Sequence, residues 1–197
     1  MTTEAPGWID TALTNGPAVT SVGTLGPTGT SSEQAALYLW ARGGDATPDI
    51  RLYETYEQAG EALREDAVSH LVVANAYAGV HSFYMDPGLR LVGAFLFDTP
   101  HYGLAAAPGH TVPRRPVVAT HPAPVALVGE LLPEGYTVEE IRFANSTSAA
   151  ADQARRRETD LALTTQPAAK LHELRFISRT RPIRMLWSVF TRADPAA

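Results

Sequence analysis

Apolar residues come in short runs separated by polar, glycine- and proline-bearing turns. The runs at 19–22, 50–53, 71–74 and 117–119 are too short for helices and are often β-branched, so they predict buried strands. Helix-like stretches lie between several of them, which makes the pattern alternating α/β. Capping chemistry places the helix starts. Thr30-Ser31-Ser32-Glu33 fits a capping box, in which the first hydroxyl accepts a backbone N–H and the glutamate reaches back, and residues 35–41 then carry a helix that Gly43-Gly44 ends. Thr55-Tyr56-Glu57-Gln58 repeats the pattern before a helix through Arg64, and two more helices are predicted over 148–157 and 167–172.

Residues 91–107 read as two extended segments broken at Asp98-Thr99-Pro100, where proline bends the chain. The α/β pattern restarts with 117–119, 141–144 and 161–163, and residues 175–190 offer two further strand-like pieces. The expected organisation is a flexible N-terminal segment over 1–17, a first lobe over 18–100 plus 175–192, and a second lobe over 101–174. A ligand cleft is expected between the lobes. No internal sequence repeat stands out.

Composition narrows the function classes. With 197 residues, 45% of them apolar, the chain can bury a substantial core. A net charge of -5 argues against nucleic acid or anionic lipid as partner and favours a small ligand. The absence of cysteine excludes disulfides, thiolate metal sites and a cysteine nucleophile. The N-terminus lacks a basic start followed by an apolar stretch, and no apolar run approaches the roughly 20 residues that span a bilayer, so a cytoplasmic protein with no membrane partner is expected. Homodimerisation is left open.

Three strand-like segments each run into a hydroxyl- or histidine-bearing loop at an expected helix start: Thr24-Leu25-Gly26-Pro27-Thr28-Gly29-Thr30-Ser31-Ser32-Glu33, Thr120-His121-Pro122, and Asn145-Ser146-Thr147-Ser148-Ala149-Ala150. A helix N-terminus presents about four unpaired N–H donors and roughly half a positive charge, so an acidic protein can still hold a carboxylate there. Taken singly, each loop also reads as an ordinary cap. A second cluster, residues 75–87, gathers Asn75, Tyr77, His81 and Tyr84, groups that suit a ring-shaped ligand needing hydrogen bonds or a proton but equally fill half-buried loops. The six histidines show no metal-binding spacing, and there is no Gly-x-Ser-x-Gly elbow, so neither a metal nor a serine hydrolase is expected. Arg155-Arg156-Arg157 suits a helix C-terminus, while Arg175, Arg179, Arg181 and Arg184 could put a guanidinium in a cleft but read better as a solvated strand edge.

The residues of these loops resemble a known family. Thr24 to Ala36 is similar to the opening Leu-Gly-Pro-x-Gly-Thr-x-Ser-x-x-Ala-Ala signature of prephenate dehydratases, Thr120-His121-Pro122 to their His-Pro loop, and Asn145 to Ala150 to their Ser/Thr-Ala-rich loop. Leu161-Ala162-Leu163 and residues 168–174 resemble their closing strand and helix, so the likeness runs in order over residues 19–190. It implies an α/β, two-lobed, periplasmic-binding-protein-like (type 2) fold; no ACT domain is expected, because the chain has no residual length for one. Two departures stand out. Asn75-Ala76-Tyr77 replaces the family's Glu-Asn-Ser, and its Thr-Arg-Phe is missing, because Thr180-Arg181 is followed by Pro182 and precedes the last strand.

With Ala76-Tyr77, Phe83-Tyr84-Met85, Asp98-Thr99-Pro100, Tyr102-Gly103-Leu104-Ala105 and Trp187-Ser188, the combination looks like the prephenate decarboxylases of bacilysin-type antibiotic pathways. That resemblance implies cofactor-free loss of carbon dioxide from prephenate with the ring hydroxyl kept, giving a dihydro-4-hydroxyphenylpyruvate. It also yields the expected site. Thr30, Ser31, His121, Ser146, Thr147 and Ser148 bind substrate, and Tyr77, His81, Tyr84 or Tyr102 shapes the ring site or delivers the proton. The alternatives are a true dehydratase making phenylpyruvate and a non-catalytic small-anion binding protein.

Overall fold

A computed structural model describes residues 7–9, 18–44 and 47–193. In chain order the first half holds β1 (Gly7–Ile9), β2 (Val22–Leu25), α1 (Ser31–Gly43), β3 (Ile50–Tyr53), α2 (Tyr56–Arg64), β4 (His70–Ala74), α3 (Val80–Met85) and β5 (Leu89–Asp98). The second half holds β6 (Tyr102–Ala106), β7 (Val117–Thr120), α4 (Ala126–Leu131), β8 (Glu140–Phe143), α5 (Thr147–Arg155), β9 (Leu161–Thr165), α6 (Gln166–Leu171), β10 (Arg175–Phe176) and β11 (Arg184–Arg192). The segment expected to be flexible, 1–17, lies outside the described residues except for 7–9, which pair with β5.

The described residues form two compact units. The first takes the chain up to Gly26, then Ser32–Thr99, and again from Arg184; the second takes Pro27–Ser31 and Pro100–Ile183. The chain therefore changes unit at Pro100 and returns at Arg184. Residues 175–183 stay with the second unit because β10 pairs with β6, and Arg181 and Tyr102 exchange backbone hydrogen bonds of 3.0 and 2.8 Å.

The first unit has a six-stranded mixed sheet in the order β1-β5-β11-β4-β2-β3. Its core is aromatic: Trp187, Phe95 and Phe190 are fully buried, with Trp40, Phe83 and Tyr56 packed beside them. The second unit has a five-stranded sheet in the order β10-β6-β9-β7-β8. One side is closed by α4 through Leu127, Val128 and Leu131 against Leu104, Val118, Leu161 and Leu163. Its other core is nearly all alanine, from Ala105, Ala119 and Ala162 on strands to Ala150, Ala151 and Ala154 on α5 and Ala168 and Ala169 on α6. Short side chains at the contact let helices approach closely.

Most predicted elements are present, with three corrections. The first strand begins at Val22, not at Val19, because the Thr20 and Ser21 N–H groups are taken by Ser69 Oγ at 3.1 and 3.0 Å and pairing starts at Val22 opposite Ile50 and His70. Two six-residue helices, α3 and α4, have no side-chain cap, and α3 falls where a loop is expected. The His121 loop leads into α4 through Pro122 and Pro124, so it is not itself a capped helix start. Among the described residues, no helix is long and apolar enough to cross a membrane.

Candidate functional site

Each unit carries a cluster of polar side chains. In the second, the turn after β2 is held by hydroxyls from two helix starts. Ser148 Oγ donates to the Thr28 carbonyl at 3.0 Å, and Thr165 Oγ1, the cap of α6, donates to the Gly29 carbonyl at 2.8 Å. Gly29 adopts φ +90°, and a Cβ there would stand 3.1 Å from Ala168 Cα, so both backbone conformation and space call for glycine. This geometry gives the Gly-Pro-Thr-Gly-Thr segment its physical reason.

Ser31 Oγ lies 2.9 Å from the Tyr102 hydroxyl, which also hydrogen-bonds Thr147, and Thr164 Oγ1 donates to the Thr147 carbonyl at 2.8 Å. Ser146 caps α5, accepting the Ala149 N–H at 2.9 Å. Thr30, Ser31, Ser146, Thr147 and Ser148 are all buried. The structure therefore brings together five of the six expected binding residues and Tyr102. Burial pushes the Tyr102 phenol upward while Ser31 and Thr147 pull it down, and the net shift is upward, so it is held as the neutral, proton-bearing form.

The sixth residue, His121, follows β7. Its Nδ1 accepts the Ala123 N–H at 3.2 Å, which leaves the ring proton on Nε2, and burial lowers its pKa, so the ring is a neutral donor. A residue not anticipated is His172. Because Ser148 spends its proton on Thr28, His172 Nε2–H donates to Ser148 Oγ at 3.2 Å. Ser148 thus bridges Thr28 and His172, whose Nδ1 lies 3.8 Å from Asp152 Oδ1.

The other three candidates lie in the first unit, in separate settings. The Tyr77 hydroxyl donates to Glu57, and burial together with that carboxylate pushes its pKa up to about 12. Its ring lies 4.9 Å from that of Tyr56, whose hydroxyl meets Ser32 Oγ at 2.8 Å and the Ala74 N–H at 3.3 Å. Gly79 makes room for Tyr77, since a Cβ there would fall 2.6 Å from its ring. Tyr84 closes a ring of three polar side chains: Ser188 donates to Asn75 Oδ1 (2.8 Å), the Asn75 amide donates to the Tyr84 oxygen (3.1 Å), and the Tyr84 hydroxyl donates to Ser188 (2.5 Å). His81 is exposed on α3, 3.2 Å from the Ala78 carbonyl.

The remnant of the family's missing motif is occupied elsewhere. Thr180 Oγ1 lies 3.3 Å from His101 Nδ1, and Arg181 grips both Glu130 oxygens at 3.1 Å beside Arg179. Thr165, Thr164, Tyr56, Glu57 and His172 were not anticipated. Only Thr165 carries a local signal, a hydroxyl followed two residues later by a proline in the first helical turn. No group of three or more His, Asp or Glu among the described residues could hold a metal ion.

Two mixed sheets with hydroxyl-capped helix starts at the carboxyl ends of their parallel strands define an α/β protein of the periplasmic-binding-protein-like class. The prephenate dehydratase family model matches residues 22–181, and the chain belongs to that family. It is 42% identical to a prephenate decarboxylase of Planktothrix agardhii over 176 residues, 86% of this chain and 86% of the relative. It is 34% identical to a prephenate decarboxylase of Bacillus subtilis over 185 residues, 88% of this chain and 87% of that one. Among solved structures, prephenate dehydratase from Arthrobacter aurescens in complex with L-Phe superposes with a TM-score of 0.71 at 18% identity, covering 89% of this chain and 61% of that one. The expected family and fold class are both met.

Proposed function

We propose that this chain is a prephenate decarboxylase that releases carbon dioxide while keeping the ring hydroxyl, and that Ser31, Tyr102 and the first turn of α5 form its reacting centre. The relatives at 42% and 34% identity, both prephenate decarboxylases, support the reaction, and the observation that carries the site is the hydroxyl cluster around Tyr102.

Prephenate is a dianion. Hydroxyls and backbone N–H groups at the start of α5 suit its side-chain carboxylate, with Thr30, Ser146 and the Nε2–H of His121 as further donors. When the bond to the ring carboxylate breaks, its electron pair enters the adjacent alkene, and the far carbon of that system takes a proton. Tyr102 is the group assigned to give it. Its phenol is neutral, and the two hydroxyls that pull its pKa down are the ones that would stabilise the phenolate left behind. Tyr77 is poorly suited, because a phenolate beside Glu57 is disfavoured, and the Tyr84 proton is committed to Ser188.

A dehydratase must also help the ring hydroxyl to leave. Here Asn75-Ala76-Tyr77 stands in place of Glu-Asn-Ser, and Asn75 is engaged with Ser188 and Tyr84, so that assistance is absent from this segment. The likeness to bacilysin-type decarboxylases supports a role in antibiotic biosynthesis, in the cytoplasm. Incubation with prephenate, followed by proton NMR, tests the reaction: the carbinol signal of the ring survives and no aromatic product forms. Phenylpyruvate would make the protein a dehydratase, and binding without conversion would make it a binding protein.

A further inference from the structure

The second unit ends its sheet on β8, Glu-Ile-Arg-Phe, all four residues of which are exposed. Ile141 pairs with Val118 and Phe143 with Thr120, so both point to the side closed by α4. They are 37% and 61% exposed, because α4 has six residues and its Leu127, Val128 and Leu131 pack over the inner strands. On the opposite side Glu140 and Arg142 pair with each other at 3.0 Å, and Arg142 donates to the Glu158 carbonyl at 2.9 Å.

The first unit shows what a covered edge of the same design looks like. There Asp49, the residue before β3, and Arg51 within it form the same pair at 3.0 Å, and Arg51 reaches the Ala67 carbonyl at 2.7 Å. There, however, Ile50 and Tyr53 are each partly buried against the core. The uncovered apolar pair on β8 therefore does not come with the charged edge device itself.

We infer that β8 is a homodimer interface, in which a second copy adds its own β8 antiparallel across a two-fold axis through Ile141. The charge pattern selects this occupant and this register. Residues directly opposite in antiparallel strands point to the same face, so only even shifts are allowed. With Ile141 opposite its copy, each Glu140 faces an Arg142, and the Ile141 and Phe143 side chains of both copies gather on one face. A shift of two residues either way sets Arg142 against Arg142 or Glu140 against Glu140. Strand addition at an open edge supplies the backbone hydrogen bonds, and a two-fold contact closes with nothing left over. A four-residue strand makes a small interface, so the dimer is concentration-dependent.

The inference rests on β8 alone and stands or falls separately from the reaction. Sedimentation velocity on the full chain over a concentration series reads it. The wild type is expected to shift from monomer to dimer as concentration rises. Glu140→Arg and Arg142→Glu each set like charges against each other and are expected to be monomeric alone, but an equimolar mixture of the two restores complementary pairs and is expected to dimerise. Circular dichroism confirms that each variant is folded, and Phe143→Lys, which leaves the Arg142 contacts untouched, is expected to be monomeric too. A wild type monomeric throughout, a single variant that dimerises as well as wild type, or a mixture that stays monomeric overturns the proposal.

Discussion

The two units repeat one plan with different side chains. In each, three parallel strands are ordered second-first-third, β3-β2-β4 in one and β8-β7-β9 in the other, and the third lies beside an antiparallel strand. Register makes the correspondence residue by residue: Val22 pairs with Ile50 and His70, as Val118 pairs with Ile141 and Leu161. Even the cap of the second helix is shared, Thr55 accepting the Gln58 N–H and Ser146 accepting the Ala149 N–H. The residues after the cap differ. Behind Thr55 stands Tyr56, whose buried ring and hydroxyl fill the helix start, whereas behind Ser146 come Thr147, Ser148 and Ala149. One scaffold thus uses the same helix start once for packing and once as a bed of short hydroxyls. The aromatic core of the first unit and the alanine core of the second extend that contrast.

The largest expected effect separates the two buried or half-buried tyrosines. Tyr102→Phe removes the assigned proton donor and is expected to lower kcat by about 10²–10⁴-fold. Tyr77→Phe removes a hydroxyl paired with a carboxylate and is expected to cost far less. Steady-state turnover of prephenate checks both, and equal losses would erase the distinction between the units.

His70 and Leu161 occupy corresponding places, which gives a prediction in stability. Burial lowers the His70 pKa to about 4, so the folded protein keeps the ring neutral where the unfolded chain, at its ordinary 6.5, takes up a proton. Stability is therefore complete above that value and falls as pH drops from 6.5 toward 4, by up to about 3 kcal/mol from this residue. Chemical denaturation across that window is expected to show the slope. His70→Leu, which copies the second unit, is expected to remove this share of it.

Capping chemistry and β-branched runs carried much of this plan in the sequence. Residues 50–53 coincide with β3, and the capping signals at Thr55 and Ser146 mark real helix starts. The capping box at Thr55 differs in one detail, since the Gln58 side chain reaches the Glu54 N–H, one residue before the cap. The helix α3 was illegible because it has neither a hydroxyl cap nor an acidic first turn, and for the same reason α4 was readable only as a helix start after the His121 loop, without bounds. The repeat was illegible because it lies in strand register, not in residue identity. For the site, hydroxyl-rich loops were readable as helix starts, but the contacts that assemble them join residues far apart in the chain. Thr165 meets Gly29 across 136 positions, and Tyr102 meets Ser31 across 71.

Matched caps that do different work should respond differently to the same substitution, and one paired measurement reads this. Thr55→Ala and Ser146→Ala should each lower stability by about 1 kcal/mol, the ordinary cost of losing a hydroxyl cap. Measured on folded protein at saturating and limiting prephenate, Ser146→Ala should raise KM markedly while Thr55→Ala leaves it near the wild-type value. If both variants shift KM alike, or neither does, the start of α5 is no more a binding site than the start of α2.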